Sequence, residues 1–273
     1  MRFTIATPAF TPESCHPKYM ASLETAVKFF NARYLPLYGC PDVAHARNQL
    51  LHKFRYANYD DVLVWIDADI EFSLTDLGLL LAPLEYGKGE ICAGLYLKKK
   101  PGRRDLVGQF YQADVDEEKG YVGETMTLED EKYIRLEFCG GGFWAMTRGA
   151  IEQVCGLVPS FCPDAGLSVT QGLKERAAWL FHSEIYLEPV QNLPRHRGED
   201  YTACATFNEA GFTIWSPLGL SLTHHSKTEG FGGREPIDIN YFARSAAFGY
   251  SVMADVAAGK TPIDFQKRLA RVT

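Results

Sequence analysis

The sequence predicts an α/β fold, with a largely parallel central sheet flanked by helices and a smaller antiparallel portion. Three observations predict it. Five apolar residues, Val62-Leu63-Val64-Trp65-Ile66, run without a charge between Asp60-Asp61 and Asp67. A short β-branched and aromatic run of this kind reads as a strand buried on both faces, as inside a parallel sheet. Strand-like and helix-like segments alternate from residue 2 to about residue 96, the pattern of an α/β layer architecture. Phe138-Cys139-Gly140-Gly141-Gly142-Phe143-Trp144-Ala145-Met146 sets three glycines between two apolar strand-like pieces, which permits close backbone approach to a ligand or a tight crossing.

In chain order, residues 2–6 form a first strand that ends at Thr7-Pro8-Ala9, where proline stiffens a loop. Ligands of open α/β sheets collect at the carboxyl ends of strands, which makes this loop a candidate contact. A helix over about 19–31 carries Met20, Leu23, Val27 and Phe30 on one stripe. A short strand over 34–38 precedes a helix over about 43–57, introduced by Asp42 as acceptor for the free amides of its first turn. Ala46, Leu50 and Phe54 face the sheet, and Arg47 and Asn48 lie near the helix start. A cation there is disfavoured by the helix dipole. Arg47 is read either as paired with Asp42 or Glu71, or as aimed at a diphosphate or base pocket.

After the central strand comes a helix near 74–84, starting at Ser73 or Thr75, then a strand over 90–96 and the charge run Lys98-Lys99-Lys100, read as a solvated strand end. Residues 101–135 are polar and turn-rich, and an inserted hairpin is expected between 106–111 and 133–138. A strand resumes at Phe143, with a helix over 148–155. Residues 156–198 are irregular, with a helix expected at 171–182, and suit an acceptor-binding rim. Gly198-Glu199-Asp200-Tyr201 opens a helix that stops at Gly211; acidic residues belong at such an end. A strand over 212–215 and the stretch from Leu218 to Thr223 lead to His224-His225. Helices at 238–249 and 262–271 close the chain.

The 273 residues suffice for one large domain with a full core. A net charge of -6 argues against a general grip on nucleic acid, which needs a basic surplus. Seven cysteines without C-x-x-C spacing read as buried apolar residues in a reducing compartment, and a cytoplasmic location is expected. There is no run of about 18 apolar residues to span a bilayer, and residues 1–6 read as a strand rather than a signal peptide. The basic last helix, with Lys267, Arg268 and Arg271, is read as solvated or as a homodimer contact. Contact with an anionic membrane surface is the alternative.

Asp67 and Asp69 close the central strand with one small residue, Ala68, between them. Two carboxylates brought together there repel unless a cation lies between them, and a divalent metal is the expected one. In order along the chain, Ala46-Arg47-Asn48, Asp67-Ala68-Asp69, Cys139-Gly140-Gly141-Gly142-Phe143, Glu199-Asp200-Tyr201 and Leu220-Ser221-Leu222-Thr223-His224 resemble the motifs of GT-A-fold, Asp-x-Asp glycosyltransferases. The resemblance covers roughly residues 1–235. It implies a single Rossmann-like catalytic domain, with a nucleotide-binding half to about residue 100, an acceptor-binding half over 101–235 and a helical extension over 236–273.

It further implies a nucleoside-diphosphate-sugar donor, UDP- or GDP-linked, held with Mn²⁺ or Mg²⁺. Asp69, His224 (or its neighbour His225) and Asp67 would serve the metal, with Asp67 also reaching the ribose or a metal-bound water. Thr7, Pro8, Ala9, Arg47, Asn48, Ala68, Gly141 and Gly142 would line the nucleotide-sugar pocket. Asp200, or Glu199, would be the catalytic carboxylate, in an inverting or a retaining reaction. The acceptor is a hydroxyl of a glycan, a protein or a lipid-linked carrier. The nearest alternatives are a sugar nucleotidyltransferase, another metal-dependent nucleotide enzyme, or a binding module of the same fold without turnover. The glycine-rich basic signature that grips a triphosphate is absent from Thr4–Pro17.

Overall fold

A computed structural model describes residues 1–57, 60–99, 105–161, 177–188, 193–226 and 230–232, together with 238, 240, 242–244 and 246. The first half alternates strand and helix: β1 (Phe3–Pro8), α1 (Pro17–Phe30), β2 (Arg33–Leu37), α2 (Val43–Ala57), β3 (Val62–Ile66), β4 (Ile70–Glu71), α3 (Leu74–Glu85) and β5 (Ile91–Ala93). Short strands follow, β6 (Gly108–Gln109), β7 (Val115–Asp116), β8 (Gly120–Tyr121), β9 (Thr125–Leu128), β10 (Glu131–Leu136) and β11 (Phe138–Cys139), then β12 (Phe143–Thr147) and α4 (Arg148–Cys155). The remainder holds β13 (Ser160–Phe161), β14 (Ala177–Ala178), β15 (Glu184–Glu188), β16 (Leu193–Arg197), α5 (Glu199–Glu209), β17 (Ile214–Pro217), β18 (Thr223–His225) and β19 (Gly230–Gly232).

The main sheet has eight strands in the order β2-β1-β3-β12-β5-β17-β10-β9. β2, β1 and β3 run parallel, as do β5 and β17, while β12 and β10 run against their neighbours. The expected α/β architecture is present. The helices cover both faces and create two apolar layers. Leu63 and Trp65 point from β3 into a layer with Leu50 and Phe54 of α2, Trp144, Ile151 of α4 and Phe207 of α5. Val62, Val64 and Ile66 point the other way, onto Tyr19 and Leu23 of α1 and Leu77, Leu80 and Leu84 of α3. All five residues of β3 are buried, which is why its apolar run is unbroken. Helix α3 begins where Ser73 accepts from Asp76 N, and Asp76 returns a carboxylate to Ser73 N, a reciprocal cap.

Several expectations are corrected. β1 runs past the expected residue 6 and ends at Pro8, which lies in register with Leu37 on β2. The hairpin expected between 106–111 and 133–138 forms only at its base, Gly108 opposite Cys139. Residues 131–136 instead join the main sheet between β9 and β17. The helix expected at 171–182 is strand at Ala177–Ala178, paired with Ser160–Phe161, and its residues 171–176 lie outside the described ones. Of the helix at 238–249, residues 240, 242–244 and 246 are helical, and the helix expected at 262–271 lies outside the described residues.

Asn48 fastens the segment after β14 onto α2. Its buried amide donates to Phe181 O at 2.7 Å and accepts from Leu180 N at 3.1 Å and Phe181 N at 2.9 Å. Asn48→Ala strands those backbone groups in a dry layer, where each unsatisfied group costs about 1–3 kcal/mol. Urea unfolding is expected to show a loss of about 3 kcal/mol. An unchanged midpoint would contradict these bonds.

Candidate active site at the end of the central strand

β3 ends where the chain must turn, and backbone bonds fix that turn. Asp67 N donates to Gly142 O at 3.0 Å, His16 N to Ala68 O at 2.7 Å, Ile70 N to Asp67 O at 3.1 Å and His225 N to Asp69 O at 2.8 Å. The two carboxylates leave this turn toward different partners.

Asp67 faces α2. Its Oδ1 accepts from Arg47 Nη2 at 2.9 Å, and Arg47 Nη1 donates to Glu199 Oε1 at 2.6 Å. Arg47 is buried, at 2% exposure. Burial opposes its charge, yet Asp67, Glu199 and Asp200 around it raise its pKa above the ordinary arginine value. Arg47 thus pairs with Asp67 and Glu199 rather than with the expected Asp42 or Glu71. Each terminal nitrogen of its fork holds a carboxylate, while its buried Nε has no hydrogen-bond partner among the described residues. The Asn48 amide is held on Leu180 and Phe181. Asp67, expected to serve the metal, has its Oδ1 held by Arg47.

The glycine run passes over this guanidinium. A Cβ on Gly141 would sit 2.5 Å from Arg47 Cζ, and one on Gly142 would sit 2.4 Å from the Tyr96 hydroxyl. Glycine at these two positions gives room to the protein's own Arg47 and Tyr96 side chains. Asp200, in the first turn of α5, lies against the same run. Its Oδ2 accepts from Gly141 N at 3.2 Å and its Oδ1 from Tyr201 N at 2.9 Å. Burial raises the Asp200 pKa above the usual carboxylate range and Glu199 adds to it, while Arg47 pulls the other way.

Asp69 faces the opposite side. A small sheet sets Ile70 beside His224 and Glu71 beside Thr223, so β18 delivers the histidine to the carboxylate. His224 Nδ1 lies 3.0 Å from Leu97 O. A carbonyl only accepts, so the proton is on Nδ1 and Nε2 carries a lone pair. That Nε2 is 3.6 Å from Asp69 Oδ1. Burial lowers the His224 pKa, against the pull of Asp69, which favours the neutral ring. Asp69 Oδ1 is itself buried and has no hydrogen-bond partner. A buried carboxylate oxygen without a donor, facing an imidazole lone pair, fits a cation between them. No three such ligands converge among the described residues.

His225 turns away. Its Nε2 pairs with Glu71 Oε2 at 2.7 Å, and its ring stacks on His16 at 4.0 Å between centroids. Thr7 is buried with its hydroxyl on Tyr19, and Ala9 N donates to Leu37 O at 3.0 Å, so this loop is tied to α1 and β2. No sequence motif marks Tyr96, whose hydroxyl accepts from Gly142 N at 3.0 Å and whose ring packs edge-on to His224 at 5.1 Å. Lys99, expected at a solvated strand end, instead sets its ammonium on Asp69 Oδ2.

No protein-family model matches the sequence, and neither does any curated protein. Solved structures do match. A197 from STIV superposes with a TM-score of 0.50 at 15% identity, over 87% of this chain and 96% of A197. GalNAc-T7, crystallised with UDP, GalNAc and Mn²⁺, gives 0.44 at 13% identity, over 86% of this chain and 45% of that one. Glucosyl-3-phosphoglycerate synthase from Mycobacterium tuberculosis gives 0.32 at 17% identity over 59% of each chain. At 15% identity the A197 match shows a shared fold alone. Among the described residues no helix is long and apolar enough to cross a membrane.

Arg47→Met would leave Asp67, Glu199 and Asp200 facing one another without their shared cation. Breaking such a buried pair costs about 3–5 kcal/mol. Asp200, already raised by burial and Glu199, would lose the opposing pull of Arg47 and rise further, so the deficit is full at neutral pH and shrinks as pH falls through the carboxylate range. Urea unfolding at pH 7 and pH 4 reads both effects. A variant as stable as wild type at pH 7 would contradict the network.

Proposed function

We propose that this protein transfers a glycosyl group from a nucleoside-diphosphate donor, UDP- or GDP-linked, to a hydroxyl of a glycan, protein or lipid-linked acceptor. The observation that carries the reading is the orphaned Asp69 Oδ1 facing the lone pair of His224 Nε2 at 3.6 Å. These two residues would hold the divalent ion, and diphosphate oxygens and water would complete its shell. A mixed oxygen and nitrogen donor set favours Mn²⁺ over Mg²⁺, which prefers oxygen throughout. When bound, the ion offsets negative charge developing on the departing diphosphate.

The protein's own groups carry the rest. The acceptor oxygen forms a bond to the anomeric carbon, and the bond from that carbon to the β-phosphate oxygen breaks with its electron pair leaving on the diphosphate. Asp200 takes the acceptor's proton. Burial and Glu199 raise its pKa, which makes it a better base than an ordinary exposed aspartate. The Gly141 and Tyr201 amides hold its carboxylate in one orientation. Glu199 stays on Arg47 and fixes the start of α5.

Release of nucleoside diphosphate from a panel of UDP- and GDP-sugars, with and without Mn²⁺, tests the proposal. Wild type is expected to turn over at least one donor only with metal, and Asp69→Ala to lose at least about 100-fold with its fold intact. Undiminished turnover in Asp69→Ala would reject it.

A further inference from the structure

The segment after β5 does two things at the same place. Its base is closed by a bridge between Leu97 and Leu106 and by Lys98 N donating to Asp105 O at 2.8 Å. From that base Leu97 O accepts the His224 Nδ1 proton, and two residues later the Lys99 ammonium pairs with Asp69 Oδ2. One loop therefore orients the histidine and also supplies a cation to the neighbouring carboxylate. The contact is not a sealed one. The Lys99 and Asp69 side chains are 31% and 34% exposed, so the ammonium can change partners without crossing a packed core.

Resting on the metal reading above, we propose that Lys99 is the resident counter-ion of Asp69 before loading and becomes a contact to the donor's diphosphate afterwards. Two cations at one carboxylate repel. Lys99 therefore opposes a bare divalent ion at Asp69. A diphosphate brings several negative charges to the same point, and both cations are then accommodated. A compact ammonium on a flexible four-carbon stem suits such an exchange better than a planar fork fixed in one geometry. The result is coupling: metal binds weakly alone and tightly with the nucleotide, each raising the other's affinity by the same factor.

Lys99→Met tests this without turnover. The amplitude of the free Mn²⁺ spin-resonance signal gives metal affinity in the absence of nucleotide, and calorimetry in saturating Mn²⁺ gives the affinity for UDP and GDP. The variant is expected to bind Mn²⁺ alone about fivefold more tightly than wild type and its nucleoside diphosphate about tenfold more weakly. Lys99→Arg, which keeps the charge, should stay near wild type in its affinity for Mn²⁺ alone. Equal Mn²⁺ affinity in wild type and Lys99→Met would overturn the role of Lys99 while leaving the metal centre standing. Unchanged UDP and GDP affinity would overturn the transfer to the diphosphate. Failure of every protein to bind Mn²⁺ would overturn the metal centre and this inference with it.

Discussion

The arrangement depends on one buried cation. Arg47, reaching from α2, joins the end of the central strand at Asp67 to the start of α5 at Glu199, with Asp200 close by. Three elements distant in sequence meet at one guanidinium. Such a cluster is a poor source of net stability, because desolvating the charges offsets most of their attraction. What it supplies is position. The fork geometry of arginine sets where both carboxylates lie, and Gly141 is bare of a side chain because the guanidinium fills that space.

With Asp67 committed in this way, the two acids of the Asp-x-Asp stretch divide their tasks. Asp67 belongs to the framework between α2 and α5. Asp69 belongs to the open side, between His224 and Lys99. The backbone turn at Ala68 separates them, and that turn is held by His16 and His225 through their amides. Arg47, the cation at Asp67, is buried, whereas Lys99, the cation at Asp69, is 31% exposed. In the proposed reaction, this contrast lets one carboxylate exchange cations while its neighbour keeps a fixed partner.

Local chemistry made much of the fold legible. The charge-free run Val62–Ile66 marked the central strand, because full burial on both faces demands uninterrupted apolar residues. Ser73 marked the start of α3 through its cap, and Asp42 marked α2 by accepting from His45 N at 2.9 Å. Pairings between distant segments were less legible. Strand 131–136 has the same alternation whether it closes a local hairpin or enters the main sheet beside Ile214–Pro217, and tertiary packing decides between them. β4 is two residues long and takes its partner from residue 223 onward, too far for any local pattern to show.

The candidate site follows the same division. The motifs identified Asp69, His224, Asp200 and the glycine run, because the residue types themselves carry chemistry. The destinations of Arg47 and Asn48 were not readable, since each is set by a partner more than 130 residues away at Glu199 or Phe181. Lys99 was hidden in a run of three lysines, where composition alone favours solvent. The glycine run is legible as a place of close approach, but that Arg47 and Tyr96 crowd it is set by distant packing.

The most direct measurement is anomalous diffraction at the manganese edge from crystals soaked with Mn²⁺ and a nucleoside diphosphate. The account predicts a single strong peak bonded to Asp69 Oδ1 and His224 Nε2, with Asp67 still held by Arg47. A structure with no peak there, or with Asp69 and His224 turned away from each other, would contradict it.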